Sequence, residues 1–164
     1  PRGLPVSAAA YTDPRTWKCE SASLSPYPVH EVYHAAFEML VRWVKTRQAP
    51  PTAPLIETTP DGREVLRDQW GNARGGWPSV LFDVPTGRYG AVNGNFPADR
   101  DGPRCDWIGT YEPLPRAELT KLYPTHDAYV KRFEQRLDEL VHQGFYLERH
   151  AKALKAEARA AQVP

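Results

Sequence analysis

The sequence predicts a mixed α/β fold, and three observations carry that expectation. Apolar residues recur at helical spacing over about 30–46. Short strand-like runs flank Pro60-Asp61-Gly62, and a compact apolar run, VLFDV, follows at 80–84. From 116 onward the pattern is again helical. A chain of 164 residues suits a single domain with one sizeable core.

Each element has a local reason. Residues 1–28 are broken by prolines and read as an extended lead-in. In the helix at 30–46, Val29, Val32, Ala36, Met39, Leu40 and Trp43 form one apolar row, and Tyr33, Phe37, Val41 and Val44 a second. Together they predict a wide buried face, with His30, His34, Glu38, Arg42 and Lys45 opposite. Glu38 and Arg42 form an i,i+4 pair in the favourable order. The proline loop QAPPTAP ends the helix. Pro60-Asp61-Gly62 predicts a hairpin turn inside LIETTPDGREVLRDQ. QWGNARGGWPS predicts a glycine-rich loop, and 80–84 a strand. Residues 85–115 read as a long loop region rich in proline and glycine, of the kind that covers or serves a site. A short helix is expected at 116–122, ended by Pro124. A second is expected at 126–142, capped by the Thr125 hydroxyl, with Val130, Phe133, Leu137, Leu140 and Val141 as its stripe. Gly144 sits where a C-terminal glycine cap belongs. An Ala-rich helix over about 147–161 closes the chain.

Composition narrows the function classes. Lys plus Arg number 21 and Asp plus Glu 20, a balance that argues against nucleic acid or an anionic membrane as partner. No apolar run approaches the length of a membrane span, and no signal peptide is visible. The chain opens PRGLP without an initiator Met, which predicts a trimmed chain or a part of something larger. Cys19 and Cys105 read either as two unreactive thiols or as one disulfide closing a long loop. Such a bond would contribute about 4–5 kcal/mol in the chain-entropy model. Neither cysteine belongs to a CxxC, which argues against a zinc ribbon.

HEVYH at 30–34 fits H-E-x-x-H, in which two histidines bind zinc and the glutamate acts on a water. On a helix, His30 and His34 share a face one turn apart, with Glu31 as the candidate base. A third ligand is required. The offsets at which the extended motif places a glycine and a third histidine hold Phe37 and Leu40. Glu57 lies at a tempting distance downstream, but Pro60 and the Asp-Gly turn beside it oppose a second helix. The competing reading is the polar side of an amphipathic helix, and the missing ligand favours it.

Other constellations are weaker. There is no G-x-S-x-G and no P-loop. GNARGG at 71–76 could bring backbone N–H groups to a ligand, or could be a tight loop whose glycines need positive φ. Trp70 and Trp77 flank it and could line a pocket or pack a core. Asp83 follows the expected strand, where acids of α/β enzymes often sit, yet no histidine or serine partner is evident. His126 and His142 lie at the two ends of the 126–142 helix, and His142 suits the helix dipole.

Taken in order, these pieces resemble the α/β-hydrolase domain proteins, an esterase-like family. DQWGNARGGWPSVLFDVP resembles that family's GNA-x-GG…VDVP segment. CESASLSPYPVHEVYHAAFEMLVRWVKTRQAPPTAP is similar to its first cysteine, long helix and proline-rich exit. RCDWIGTYEPLP resembles its second-cysteine segment, and LYPTHDAYVKRFEQRLDELVHQGFYL its closing helices. The match covers most of residues 19–161. Trp77-Pro78 departs from the family's Arg-Thr-Pro, and the helix lacks the family's Asn near Pro26 and Pro28.

The resemblance implies an α/β fold of which this chain is the C-terminal portion, so that 1–164 is a single partial domain. His30 falls on a family position while Glu31 and His34 do not, which implies a scaffold helix and no metal. The family's serine elbow and catalytic histidine lie upstream of the segment matching Cys19, so no catalytic residue is expected here. In such enzymes a serine attacks an ester carbonyl, a histidine moves its proton and backbone amides hold the oxyanion. This portion would supply core packing and one pocket wall through Asn72, Arg74 and Trp77. The implied partners are the remainder of the same polypeptide and a small ester, with no cofactor. Both family cysteines are present, which favours a Cys19–Cys105 disulfide in an oxidising, secreted or periplasmic compartment. Two alternatives stay open: a zinc metallopeptidase using His30, Glu31 and His34, and a non-catalytic helical interaction module.

Overall fold

The computed structural model describes residues 23–91, 93 and 109–164. Among them are five helices and one two-stranded antiparallel sheet: α1 (Val29–Thr46), α2 (Val80–Asp83), β1 (Gly87–Gly90), β2 (Thr110–Pro113), α3 (Arg116–Leu122), α4 (His126–His142) and α5 (Glu148–Ala160). The chain divides into two compact units. The larger comprises Tyr27–Thr86 and Leu114–Pro164. The smaller holds the described residues of Pro1–Pro26 and Gly87–Pro113. Cys19 and Cys105, and most of the expected lead-in, lie outside the described residues.

The core belongs to the larger unit and is built by the C-terminal helices. α4 starts where expected because the Thr125 hydroxyl accepts a hydrogen bond from the Ala128 amide at 3.2 Å. Its buried stripe is Tyr129, Phe133, Leu137 and Leu140, with Val130 and Val141 at the margins. It ends in a Schellman arrangement. The Phe145 amide bonds the Leu140 carbonyl at 2.9 Å and the Gly144 amide bonds Val141 at 2.9 Å, with Gly144 at φ +89°. That turn sends the chain back, so that α5 packs on α4 through Ala151, Leu154 and Ala158. Phe145, Tyr146, Val80, Val84 and Tyr123 complete the core.

The apolar run at 80–84 is the first correction. It is not a strand but a single helical turn, α2, packed against α4. Ser79 caps it by accepting from the Leu81 amide at 3.3 Å. Pro78 and Pro85 bracket the segment, so a turn capped by serine suits it better than an extended ladder. The expected hairpin is reduced to a ribbon with two isolated bridges, Thr58 with Val65 and Arg67 with Ala73. Its turn lies where Pro60-Asp61-Gly62 placed it, with the Gly62 amide bonded to the Thr59 carbonyl at 2.8 Å.

The second correction concerns α1. Its limits agree with its periodicity, and Arg47 ends it in the left-handed region. Its buried residues, however, are Glu31 and Ala35, while Val29, Tyr33, Phe37, Leu40, Trp43 and Val44 are exposed. Met39 still packs against the core. Periodicity locates an apolar face but does not say what lies against it, and in the described chain nothing covers most of this one.

In the smaller unit β1 pairs with β2 in the register Gly87 with Pro113 to Gly90 with Thr110. Leu24 adds an isolated bridge to Thr110. The expected long loop at 85–115 therefore contains this sheet. No described helix is long and apolar enough to cross a membrane.

Candidate functional site

The glycine-rich loop is held by its own backbone. Asp68 Oδ1 accepts from the amides of Trp70 and Asn72, each at 2.9 Å, and the Asp68 amide donates to the Asn72 carbonyl at 2.8 Å. Gly71, Gly75 and Gly76 all have positive φ, the conformation a tight loop requires. The residues expected to line a pocket have other partners. Asn72 is fully buried. Arg74 pairs with Glu57 at 2.7 Å. Trp77 meets Phe145 edge to face at 5.2 Å, and its indole N–H is buried without a hydrogen-bond partner. A cavity of about 540 Å³ lies elsewhere, lined by Leu114, Leu119, His126 and Val163 among others. Neither Asn72, Arg74 nor Trp77 lines it.

Asp83 ends α2 and accepts from Arg136 Nε at 2.8 Å, so its carboxylate is committed to an ion pair. His126 holds the chain end: its two ring nitrogens lie 3.0 Å from the Val163 carbonyl and 3.1 Å from that of Arg159. Ser79, buried, shares a hydroxyl network with Tyr146 at 2.9 Å and with Tyr27.

Among the described residues, HEVYH and His150, which no local pattern pairs with it, form a dense group of titratable side chains. α1 lays its Glu31–Ala35 edge toward the first turn of α5, where His150 waits. His34 Nδ1 lies 3.0 Å from His150 Nε2. The His30 ring stands 6.1 Å from His34 and 6.0 Å from His150, nearly perpendicular to both. Glu31 lies behind them, with its Oε1 3.8 Å from His30 Nε2 and 3.9 Å from His150 Nδ1. Its Oε2 is buried with no hydrogen-bond partner. Burial, and then the nearby Glu157, push the Glu31 carboxyl up to about 7. Burial also lowers the His150 imidazole, and His34, Arg149 and His30 lower it further. Arg149 pairs loosely with Glu38 at 3.6 Å.

The two histidines of the motif thus share a face as expected, and α5 brings a third beside them. Among the described residues, no group of three or more His, Cys, Asp or Glu side chains is placed to hold a metal ion. Glu57, the distant ligand considered above, is taken by Arg74.

Comparison with known proteins gives one match. Residues 4–156 match the model of a family described as alpha/beta hydrolase domain. Neither the curated proteins nor the solved structures gave a match.

Proposed function

The chain belongs to the alpha/beta hydrolase domain family, and from that premise we propose that it is the C-terminal part of a serine hydrolase acting on esters, its nucleophile and catalytic histidine carried by preceding chain. One observation supports this reading above the others. Tyr33, Phe37 and Val44 are 69%, 67% and 68% exposed on one helix, and Leu55 nearby in sequence is 89% exposed. Isolated exposed apolar residues are ordinary, but a helix that turns its apolar face outward while burying a glutamate is not. A hydrolase scaffold lying against α1 would bury that face. Asn72, Arg74 and Trp77 would then bear on the pocket by shaping the 71–77 loop and less by direct contact with the ester.

The test compares the chain alone with the chain joined to the coding sequence upstream of Pro1. The chain alone should bind a hydrophobic dye and hydrolyse no activated ester. The joined protein should lose the dye binding, hydrolyse the ester and be labelled by a serine-directed phosphonate upstream of Pro1. Labelling of a serine within the chain, or dye binding undiminished by the joined segment, would overturn the reading.

A further inference from the structure

We infer that His34 and His150 form a proton-operated catch between α1 and α5, closed while one proton lies between their facing nitrogens and opened in acid when both of those nitrogens carry one. The inference does not depend on the hydrolase reading, since both helices lie in the larger unit.

The two rings meet head on. His34 Nδ1 and His150 Nε2 are 3.0 Å apart, the ring centroids are 5.1 Å apart and the planes are inclined by 22°. The centroid separation is close to the nitrogen separation plus the two ring radii, so both nitrogens lie near the line joining the rings. A neutral imidazole has one N–H and one lone pair, whereas an imidazolium has two N–H groups. The gap therefore holds one proton, donated by either ring. A first extra proton can settle on a nitrogen that faces away, and it strengthens the hydrogen bond by giving it charge. A second extra proton makes both facing nitrogens donors. Two N–H groups of like charge then confront each other, and the contact has no closed form left.

Little else ties the two helices. Among the described residues this is the one hydrogen bond between an α1 side chain and α5. Arg149 reaches Glu38 only at 3.6 Å. The buried residues of α1 are Glu31 and Ala35, and the second adjoins His34. Parting the rings therefore opens the seat of α1 where it is closest to α5.

The surrounding charges set the direction. His30, 6.1 Å from His34 and 6.0 Å from His150, brings a third imidazole. Arg149 brings a permanent positive charge. Burial, then His34, Arg149 and His30, hold the His150 imidazole below its ordinary 6.5. A lowered histidine contributes stability that is complete above 6.5 and is lost as pH falls below it. Glu31 acts with the opposite sign. Its carboxyl is 3.8 Å from His30 and 3.9 Å from His150, too far to hydrogen-bond either ring. Burial, then Glu157, raise it from 4.5 to about 7, so its contribution is complete below 4.5 and is lost as pH rises through about 7. Protonated in acid, it offers the rings no countercharge. Glu38 faces Arg149, and Tyr146, its phenol raised by burial, stays uncharged. Glu31→Gln therefore isolates the histidine effect.

The experiment follows the imidazole nitrogens of the chain by NMR from about pH 8 to about pH 4.5, with amide exchange measured over the same range. We expect the His34–His150 pair to take up its protons in two coupled steps. His34→Ala, at an exposed position, should leave His150 with a single step moved to higher pH, because one like charge is gone. His142→Ala, at the far end of α4, should leave both steps unchanged. In the Glu31→Gln chain, protection of the amides around Ala35, corrected for the intrinsic rate, should fall at least about tenfold with the second step. The same chain carrying His34→Ala as well should keep most of that protection. If His34→Ala loosens α1 at every pH, the two-step titration of the unaltered chain still decides. Independent single steps for the two rings, or an equal loss of protection with and without His34, would overturn the proposal.

Discussion

Ser79 Oγ lies 2.9 Å from Tyr146 Oη in the buried interior, joining the cap of α2 to the turn that precedes α5. The same hydroxyl accepts from the Leu81 amide and bonds the Tyr27 side chain. One small side chain thereby satisfies groups from three parts of the larger unit. Ser79→Ala leaves the Tyr146 hydroxyl without this partner and removes the cap, so it should destabilise the chain by about 1–3 kcal/mol. Urea unfolding checks this. A loss below about 0.5 kcal/mol would mean that water replaces the serine at no cost.

Tyr123 is 1% exposed and donates to the Pro85 carbonyl at 2.9 Å. Burial raises its phenol from 10.0 to about 12, against a smaller opposing effect of Arg132. A raised acid binds its proton more tightly folded than unfolded. Its contribution is therefore complete below the unfolded value and is lost as pH climbs from about 10 through about 12, on the order of 2 kcal/mol. Tyr146 is shifted in the same direction by its burial. Unfolding free energies measured across that alkaline range should fall less steeply for Tyr123→Phe than for the unaltered chain. Equal slopes would show that the phenol does not drive the loss.

Most of the C-terminal architecture was legible in the sequence because its signals are local. Thr125 caps α4, Gly144 ends it, and the stripe from Phe133 to Leu140 is buried as its spacing requires. VLFDV was not legible, since a short apolar run serves a strand or a buried helical turn equally well. Ser79 and the flanking prolines decide between them. The site was half legible. Helical spacing put His30 and His34 on one face, but His150 comes from 116 positions beyond His34, a contact that no local pattern carries.

Gly75 and Gly62 give a matched pair. Both have positive φ, +76° and +70°. A Cβ on Gly62 meets open space, whereas one on Gly75 would overlap the Leu55 carbonyl oxygen. Gly62→Ala should cost only the left-handed backbone penalty, about 1–2 kcal/mol. Gly75→Ala adds a backbone clash and should cost about 3 kcal/mol or more. Thermal melts of the two variants test the order. Equal melting temperatures would mean that the 54–57 segment moves aside freely and that the GNARGG loop is not held against it.

Phe37 distinguishes a part from a whole. On this chain its ring is 67% exposed, one turn from Tyr33 and Leu40 on the outward face of α1. Truncating an exposed side chain changes stability by about 0.5 kcal/mol at most. Phe37→Ala should therefore leave the unfolding free energy of the chain alone nearly unchanged while reducing its dye binding. In the protein joined to its upstream segment the same ring should be buried, and truncating a buried phenylalanine costs about 3–5 kcal/mol. The comparison needs no knowledge of the substrate, because it asks only whether the face is covered. A small cost in both forms would make α1 an ordinary surface helix and would remove the main support for the hydrolase-part reading. A large cost confined to the joined protein would identify this face as the seam along which the C-terminal part meets the rest of the domain.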